Sequence, residues 1–264
     1  MSDTGRIVAV TGASSGIGLA AARLFRDRGD KVYCLSRTDP KEPGITFIHT
    51  DVTDEASVNA AFGAIGKTEG RIDVLLSNAG IGVSGAAECT TMQDAKRQLD
   101  VNFFGLHACV RAAVPLMRAH GGTILATSSV AAVFAIPFQA FYSASKFAVT
   151  APVLALANEL KPFNIRVAAI MPGDVKTGFT GARIKAEDDD NYGQSVEKSV
   201  AVMERDEQNG MGPEMIAKRF VALSLKKHPK VLSTVGLQYK FFCFLGKVLP
   251  IRLQNFIVGK MYIK

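Results

Sequence analysis

Paired cysteines are missing from this chain: Cys34, Cys89, Cys109 and Cys243 lie far apart and form no CxxC. No disulfide framework, zinc centre or other metal site is therefore expected, and a reducing compartment is. Long apolar runs are missing too. The longest, residues 241–251, is interrupted by Lys247 and Pro250 and falls short of the ~20 residues that span a bilayer. The opening MSDTGRIVAVTG has no basic stretch followed by an apolar one, so a cytoplasmic protein without a secretory leader is expected. Acidic side chains are absent only locally: residues 215–264 hold ten Lys/Arg, 28 apolar residues and no Asp or Glu.

That local absence accounts for the formal net charge of +7. Residues 1–214 carry 21 basic and 24 acidic side chains, a net of −3. The chain reads as a mildly acidic body with a basic tail. Nucleic-acid binders place basic clusters on the folded body, so no nucleic-acid partner is expected. A hydrophobic fraction of 48% with 21% charged residues excludes disorder. With no repeat, linker or low-complexity segment, residues 1–264 are expected to form one α/β domain with ample core.

Short β-branched runs alternate with helical patterns along most of the length. Strands are predicted at residues 6–11, 31–36, 45–49, 72–77, 123–128 and 165–170, as nearly continuous apolar runs suited to strands covered on both faces. Helices are predicted between them at residues 17–28, 55–65, 95–119 and 141–160. Pro152 falls inside the last of these and is expected to bend it. The β-α-β-α order predicts a doubly wound parallel sheet. Residues 174–211 break the rhythm with a polar loop, an acidic run at 187–190 and one helix near 195–208. Loops of that length are usually functional lids, here over a substrate.

The first strand runs into Thr11, Gly12, Ala13, Ser14, Ser15, Gly16, Ile17 and Gly18, and a helix follows. Glycines let the backbone approach a pyrophosphate, and the helix N-terminus offers unpaired N–H groups and a positive dipole end. At the tip of the second strand, where a carboxylate would select NAD(H), stand Ser36 and Arg37. A guanidinium takes a phosphate bidentately, so NADP(H) is favoured and NAD(H) is the alternative, as is a merely solvated Arg37 with Asp39 nearby. Asp51 and Val52 follow the third strand; Asp51 faces the adenine or caps the next helix. Tyr142 and Lys146, four apart on a predicted helix, share one face. A phenol has an ordinary pKa of ~10, and a neighbouring ammonium is expected to lower it toward the working range.

Together these residues resemble the short-chain dehydrogenase/reductase family over nearly the whole chain. The family's TGxxxGIG motif matches Thr11 to Gly18, its NAG motif Asn78, Ala79 and Gly80, and its YxxxK Tyr142 and Lys146. Its catalytic Asn and Ser fall on Asn102 and Ser129, and its PG motif on Pro172 and Gly173, followed by Val175 and Thr177. The resemblance implies a single-domain Rossmann fold, with a helical C-terminal extension here, and hydride transfer between nicotinamide and a carbonyl carbon. It implies Tyr142 as general acid/base, Ser129 binding the carbonyl oxygen, and Lys146 on the nicotinamide ribose. It further implies Asn102 anchoring a water for a proton relay, and Thr177 on the carboxamide. Ser128 is the competing serine, but strand alternation points it away from the side of Ser129. The family's subunit interfaces imply a homodimer or homotetramer.

The substrate side reads as apolar. Ala131, Phe134, Phe138 and Phe179 are expected to line a pocket with Ser129 and Tyr142, for a hydrophobic ketone or alcohol such as a steroid, retinoid or lipid. The tail loosely resembles extensions in hydroxysteroid and retinol dehydrogenase branches. Residues 239–264 form an amphipathic extension, with two short helices predicted over 239–263. These lie on a membrane surface, cover the substrate entrance, or simply pack on the body. The alternatives to an enzyme are a non-catalytic nucleotide-binding regulator and a peripheral membrane binder using this tail.

Overall fold

The computed structural model describes residues 5–187 and 190–263. Residues 188 and 189 of the acidic run, and Lys264 of the tail, lie outside the described residues. Seven parallel strands form one sheet: β1 (Ile7–Thr11), β2 (Lys31–Ser36), β3 (Ile45–His49), β4 (Val74–Ser77), β6 (Gly122–Thr127), β7 (Ile165–Met171) and β9 (Leu232–Thr234). Their order is β3-β2-β1-β4-β6-β7-β9. The order reverses between β1 and β4, and in open sheets of this kind the crevice beyond the strand ends at that point receives ligands. A separate two-stranded pair, β5 (Val83–Ser84) with β8 (Ile184–Lys185), ties the 174–211 loop to the body.

Alternation explains the continuous apolar strands. Ile7 and Ala9 of β1 enter one core and Val8 and Val10 the other, and β2, β6 and β7 divide likewise. The first core is closed by α2 (Glu55–Glu69), α4 (Gly105–Met117) and α5 (Ala140–Glu159), with Phe62, Ile65, Met117 and Val149 buried in it. The second is closed by α1 (Gly16–Asp27) and α7 (Pro213–Ser224), which pack on each other through Phe25 and Phe220. Full burial of each such ring contributes about 1.5–3 kcal/mol. The fold is a doubly wound α/β domain.

Several expectations need correction. The tail does not begin at residue 215: α7 and β9 belong to the body, and only α8 (Leu237–Val248) and α9 (Ile251–Tyr262) extend beyond it. The seventh strand was not expected because β9 is three residues long. The helix expected at 95–119 is α3 (Met92–Leu99) and α4 joined by a π-helical turn, Asp100–Phe104. Pro152 lies inside α5, which runs from Ala140 to Glu159. The 174–211 loop carries α6 (Ser195–Gln208) as predicted, and its neck closes where Val175 bridges Met211.

Candidate active site

The site starts where β1 ends. The Thr11 hydroxyl accepts the N–H groups of Asn78 (2.9 Å) and Ala79 (3.1 Å), and the Thr127 hydroxyl donates to Asn78 Oδ1 at 2.9 Å. Three strand ends are thereby stapled side by side. Gly12 has φ +62°, and a side chain on Gly18 would collide with Gly12 O and Asn78 Nδ2. Gly18 therefore lets α1 tuck beneath the turn. It was expected to touch cofactor, but it does not line the cleft; it packs behind it.

Ser15, at the N-cap of α1, makes no side-chain cap bond, and the first turn has no acidic residue. Its N–H groups are left to face a cleft of about 670 Å³. Unpaired N–H groups and the positive dipole end make an anion site. Gly12, Ser14, Ser15, Gly16 and Ile17 line this end, and Arg37, Asp51 and Val52 the adenosine end. Asn78, Ala79 and Gly80 form the middle, and Pro172, Gly173, Val175 and Thr177 the far wall. The glycine cradle and the uncapped helix fit a nicotinamide dinucleotide.

At the adenosine end, Arg37 is exposed and makes no ion pair among the described residues. Asp39 is turned back to accept the Lys41 N–H at 2.8 Å. The cap of α2 is Asp54, which accepts the Ala56 N–H, so Asp51 is not the capping residue. Burial raises the Asp51 carboxyl, but the N–H and hydroxyl of Thr53, with Arg37 and His49 nearby, outweigh it and hold the pKa below its ordinary value.

At the other end α5 brings Tyr142 and Lys146 to the cleft. Lys146 is 5% exposed. Its Nζ lies 5.7 Å from the Tyr142 ring centre and donates to Thr127 O at 3.0 Å. Burial lowers it to about 8. Ser129 accepts the Ala131 N–H at 3.1 Å, which leaves its own proton free to donate, and its hydroxyl acts to lower the Tyr142 pKa. Ser128 points instead to Thr150 Oγ1 at 3.0 Å, as alternation predicted.

The phenol does not behave as expected from the sequence. Burial pushes Tyr142 up to about 12, against the Ser129 hydroxyl and with Glu207 adding to the rise. The ammonium that was to lower it is committed to the Thr127 carbonyl. Asn102 sits in the π turn that joins α3 and α4. The π turn carries it to the back of the site, where Oδ1 accepts the Ile81 N–H at 2.8 Å. Its Nδ2 donates to Ile81 O and to Ser145 Oγ. Its side chain braces the Asn78–Gly80 wall and does not line the cleft.

Of the expected substrate residues, Phe179 lines the cleft, 5.9 Å from Tyr142. The other three do not. Ala131 is 1% exposed in the short turn after Ser129. Phe134 lies against Gly246 of α8. Phe138, at φ +58°, stacks edge-on with Tyr192 in the small cluster under α6. Chain beyond the motifs had already claimed these rings. Sequence reading also missed Glu207, which lines the cleft while bonded to the buried Arg183 and to Thr180 Oγ1. No motif marks these residues; only the polar character of the loop hinted at them.

With this geometry in hand, comparison with known proteins is specific. The sequence model of the short chain dehydrogenase family matches residues 6–188. The chain is 39% identical over 236 residues to a 3-ketodihydrosphingosine reductase of Bacteroides thetaiotaomicron, covering 88% of each chain. It is 38% identical over 191 residues to the 17-beta-hydroxysteroid dehydrogenase type 1 of Mus musculus, covering 66% of this chain and 55% of that one. A solved short-chain dehydrogenase from Streptomyces avermitilis superposes with a TM-score of 0.86 over 98% of both chains, at 27% identity.

Proposed function

The chain belongs to the short-chain dehydrogenase/reductase family, and on that premise we propose that it is an NADP(H)-dependent oxidoreductase of a lipid-like ketone and its alcohol. A long-chain 3-keto compound of the 3-ketodihydrosphingosine type is the leading substrate. One observation carries the reaction class: Ser129, Tyr142 and Lys146 converge at one end of a cleft whose other end is an uncapped helix N-terminus. When bound, the dinucleotide supplies or accepts the hydride. Ser129 holds the carbonyl oxygen with the proton it does not need for Ala131. Tyr142, protonated up to about 12, is the general acid in the reductive direction. Lys146, lowered to about 8, stands beside it as the group that exchanges protons near neutrality.

The unpaired Arg37, with Asp39 turned away, favours a 2′-phosphate. The lipid-like substrate draws support from the Bacteroides relative and from Phe179 beside Tyr142. The test is NADPH oxidation with 3-ketodihydrosphingosine in mixed micelles against a 17-ketosteroid, with Tyr142→Phe as control. The sphingoid ketone is expected to be consumed, with at least a ~10²-fold loss in the variant. Turnover of the steroid alone would overturn the substrate, and full activity of Tyr142→Phe would overturn the mechanism.

A further inference from the structure

Helices α8 and α9 meet at a corner held by Gln254, whose Nε2 donates to Leu249 O (2.7 Å) and Gly246 O (3.1 Å). The inner side of α8 packs on the body. Tyr239 donates to Asp174 Oδ2 at 2.7 Å and covers Gly173, while Gly246 lies against Val133 and Phe134. The outer side is where a helix that only covers a core would be polar. Here Leu237, Phe241, Phe244 and Val248, spaced i, i+4, i+7 and i+11, are 84%, 58%, 58% and 55% exposed. On α9, Ile251 and Phe256 are likewise exposed, at 70% and 62%. Among the described residues, eleven of the seventeen exposed large apolar side chains lie in residues 237–263. An apolar surface of this kind on a folded chain marks a contact with something else.

We propose that the exposed faces of α8 and α9 dock the protein on an anionic lipid surface. Charge selects that occupant. All four charged side chains of residues 237–263, Lys240, Lys247, Arg252 and Lys260, are basic and exposed. Two copies of this face would repel each other, whereas a bilayer with acidic headgroups receives the aromatic rings and neutralises the rim. The inner side of α8 packs directly behind the active-site cleft, since Gly173 lines that cleft and Tyr239 lies against Gly173. Docking therefore sets the catalytic end next to the membrane, where an apolar substrate is concentrated. The surface stands on its own observations, whatever the substrate.

The test is flotation of the full chain with vesicles of phosphatidylcholine, alone or with about one lipid in three replaced by phosphatidylglycerol. The chain is expected to float with the anionic vesicles and to remain below with the neutral ones. Two surface variants probe the two contributions: Phe241→Ser/Phe244→Ser/Phe256→Ser and Lys240→Gln/Lys247→Gln/Arg252→Gln/Lys260→Gln. Each should weaken partitioning by on the order of a hundredfold, with the melting temperature and turnover of a water-soluble ketone unchanged. Wild type that fails to float with anionic vesicles overturns the proposal, as does flotation retained in both variants. Light scattering guards the remaining case: a larger assembly that the phenylalanine variant breaks down would make the occupant a second copy, and that too overturns it.

Discussion

Lys146 shows at the scale of one residue how function and stability oppose each other. Its folded-state pKa of about 8 lies below the ordinary lysine value of 10.5, because burial penalises the ammonium. Between those two values the unfolded chain binds more protons than the folded one, so this residue makes stability rise with pH across that window. Below about 8 the full penalty is present; above 10.5 it is gone. The unfolding free energy of wild type relative to Lys146→Met should accordingly shift in favour of wild type by roughly 3 kcal/mol between pH 7 and 10.5. Urea titrations of both proteins at the two pH values measure it, and a difference that does not move with pH would refute the buried-ammonium account. The i, i+4 spacing of Tyr142 and Lys146 was readable in the sequence, since a helix places such residues on one face. The upward shift of Tyr142 was not, because it comes from burial in the packed chain, with Glu207 of the 174–211 loop adding to it and Arg183 opposing it.

At the scale of elements, the π turn between α3 and α4 does what a regular helix would not. The extra residue in the turn re-aims Asn102 toward Ile81, and π turns recur at functional sites for that reason. Asn102 is 4% exposed, and its side chain satisfies both the N–H and the C=O of Ile81. Asn102→Ala strands the Ile81 N–H, while Ile81 O keeps the Gln98 Nε2 at 2.6 Å, so stability should fall by about 1–3 kcal/mol, and dinucleotide affinity should weaken because Ile81 anchors the Asn78–Gly80 wall. Urea denaturation and fluorescence titration with NADPH read the two effects; a change in neither would show that the wall holds without the brace. Sequence periodicity marked one long helix here, because the apolar spacing on either side of the turn is helical throughout. The hydrogen-bond slip inside it depends on Ile81 and Ser145, which belong to other elements.

For the whole molecule, the main consequence of the fold is a single cleft whose two ends come from opposite halves of the chain. Anything that binds the folded cleft and not the unfolded chain stabilises the protein, by about 2.7 kcal/mol at a hundred times its dissociation constant. NADPH should therefore raise the melting temperature more than NADH at equal concentration, through Arg37. Arg37→Asp should reverse that order. Equal shifts with both cofactors in both proteins would reduce Arg37 to a solvated charge. The net charge divides on the same scale. The body takes in α7 and β9 with five of the ten basic residues of 215–264, and the other five lie in residues 237–264 with the exposed apolar side chains.

Local physics was enough for the sequence to determine the sheet class, the glycine turn at Thr11 to Gly18 and the pairing of Tyr142 with Lys146. Each rests on residues within a turn or a strand of one another, where spacing dictates geometry. Only tertiary structure decided the rest. It buried Lys146 against Thr127, turned Phe134 and Phe138 away from the cleft, and brought Glu207 into it. It also left the rings of α8 and α9 facing outward. Those outcomes depend on which distant segment covers which side chain. Burial and the electrostatics that follow from it are properties of the packed chain, and no local spacing encodes them.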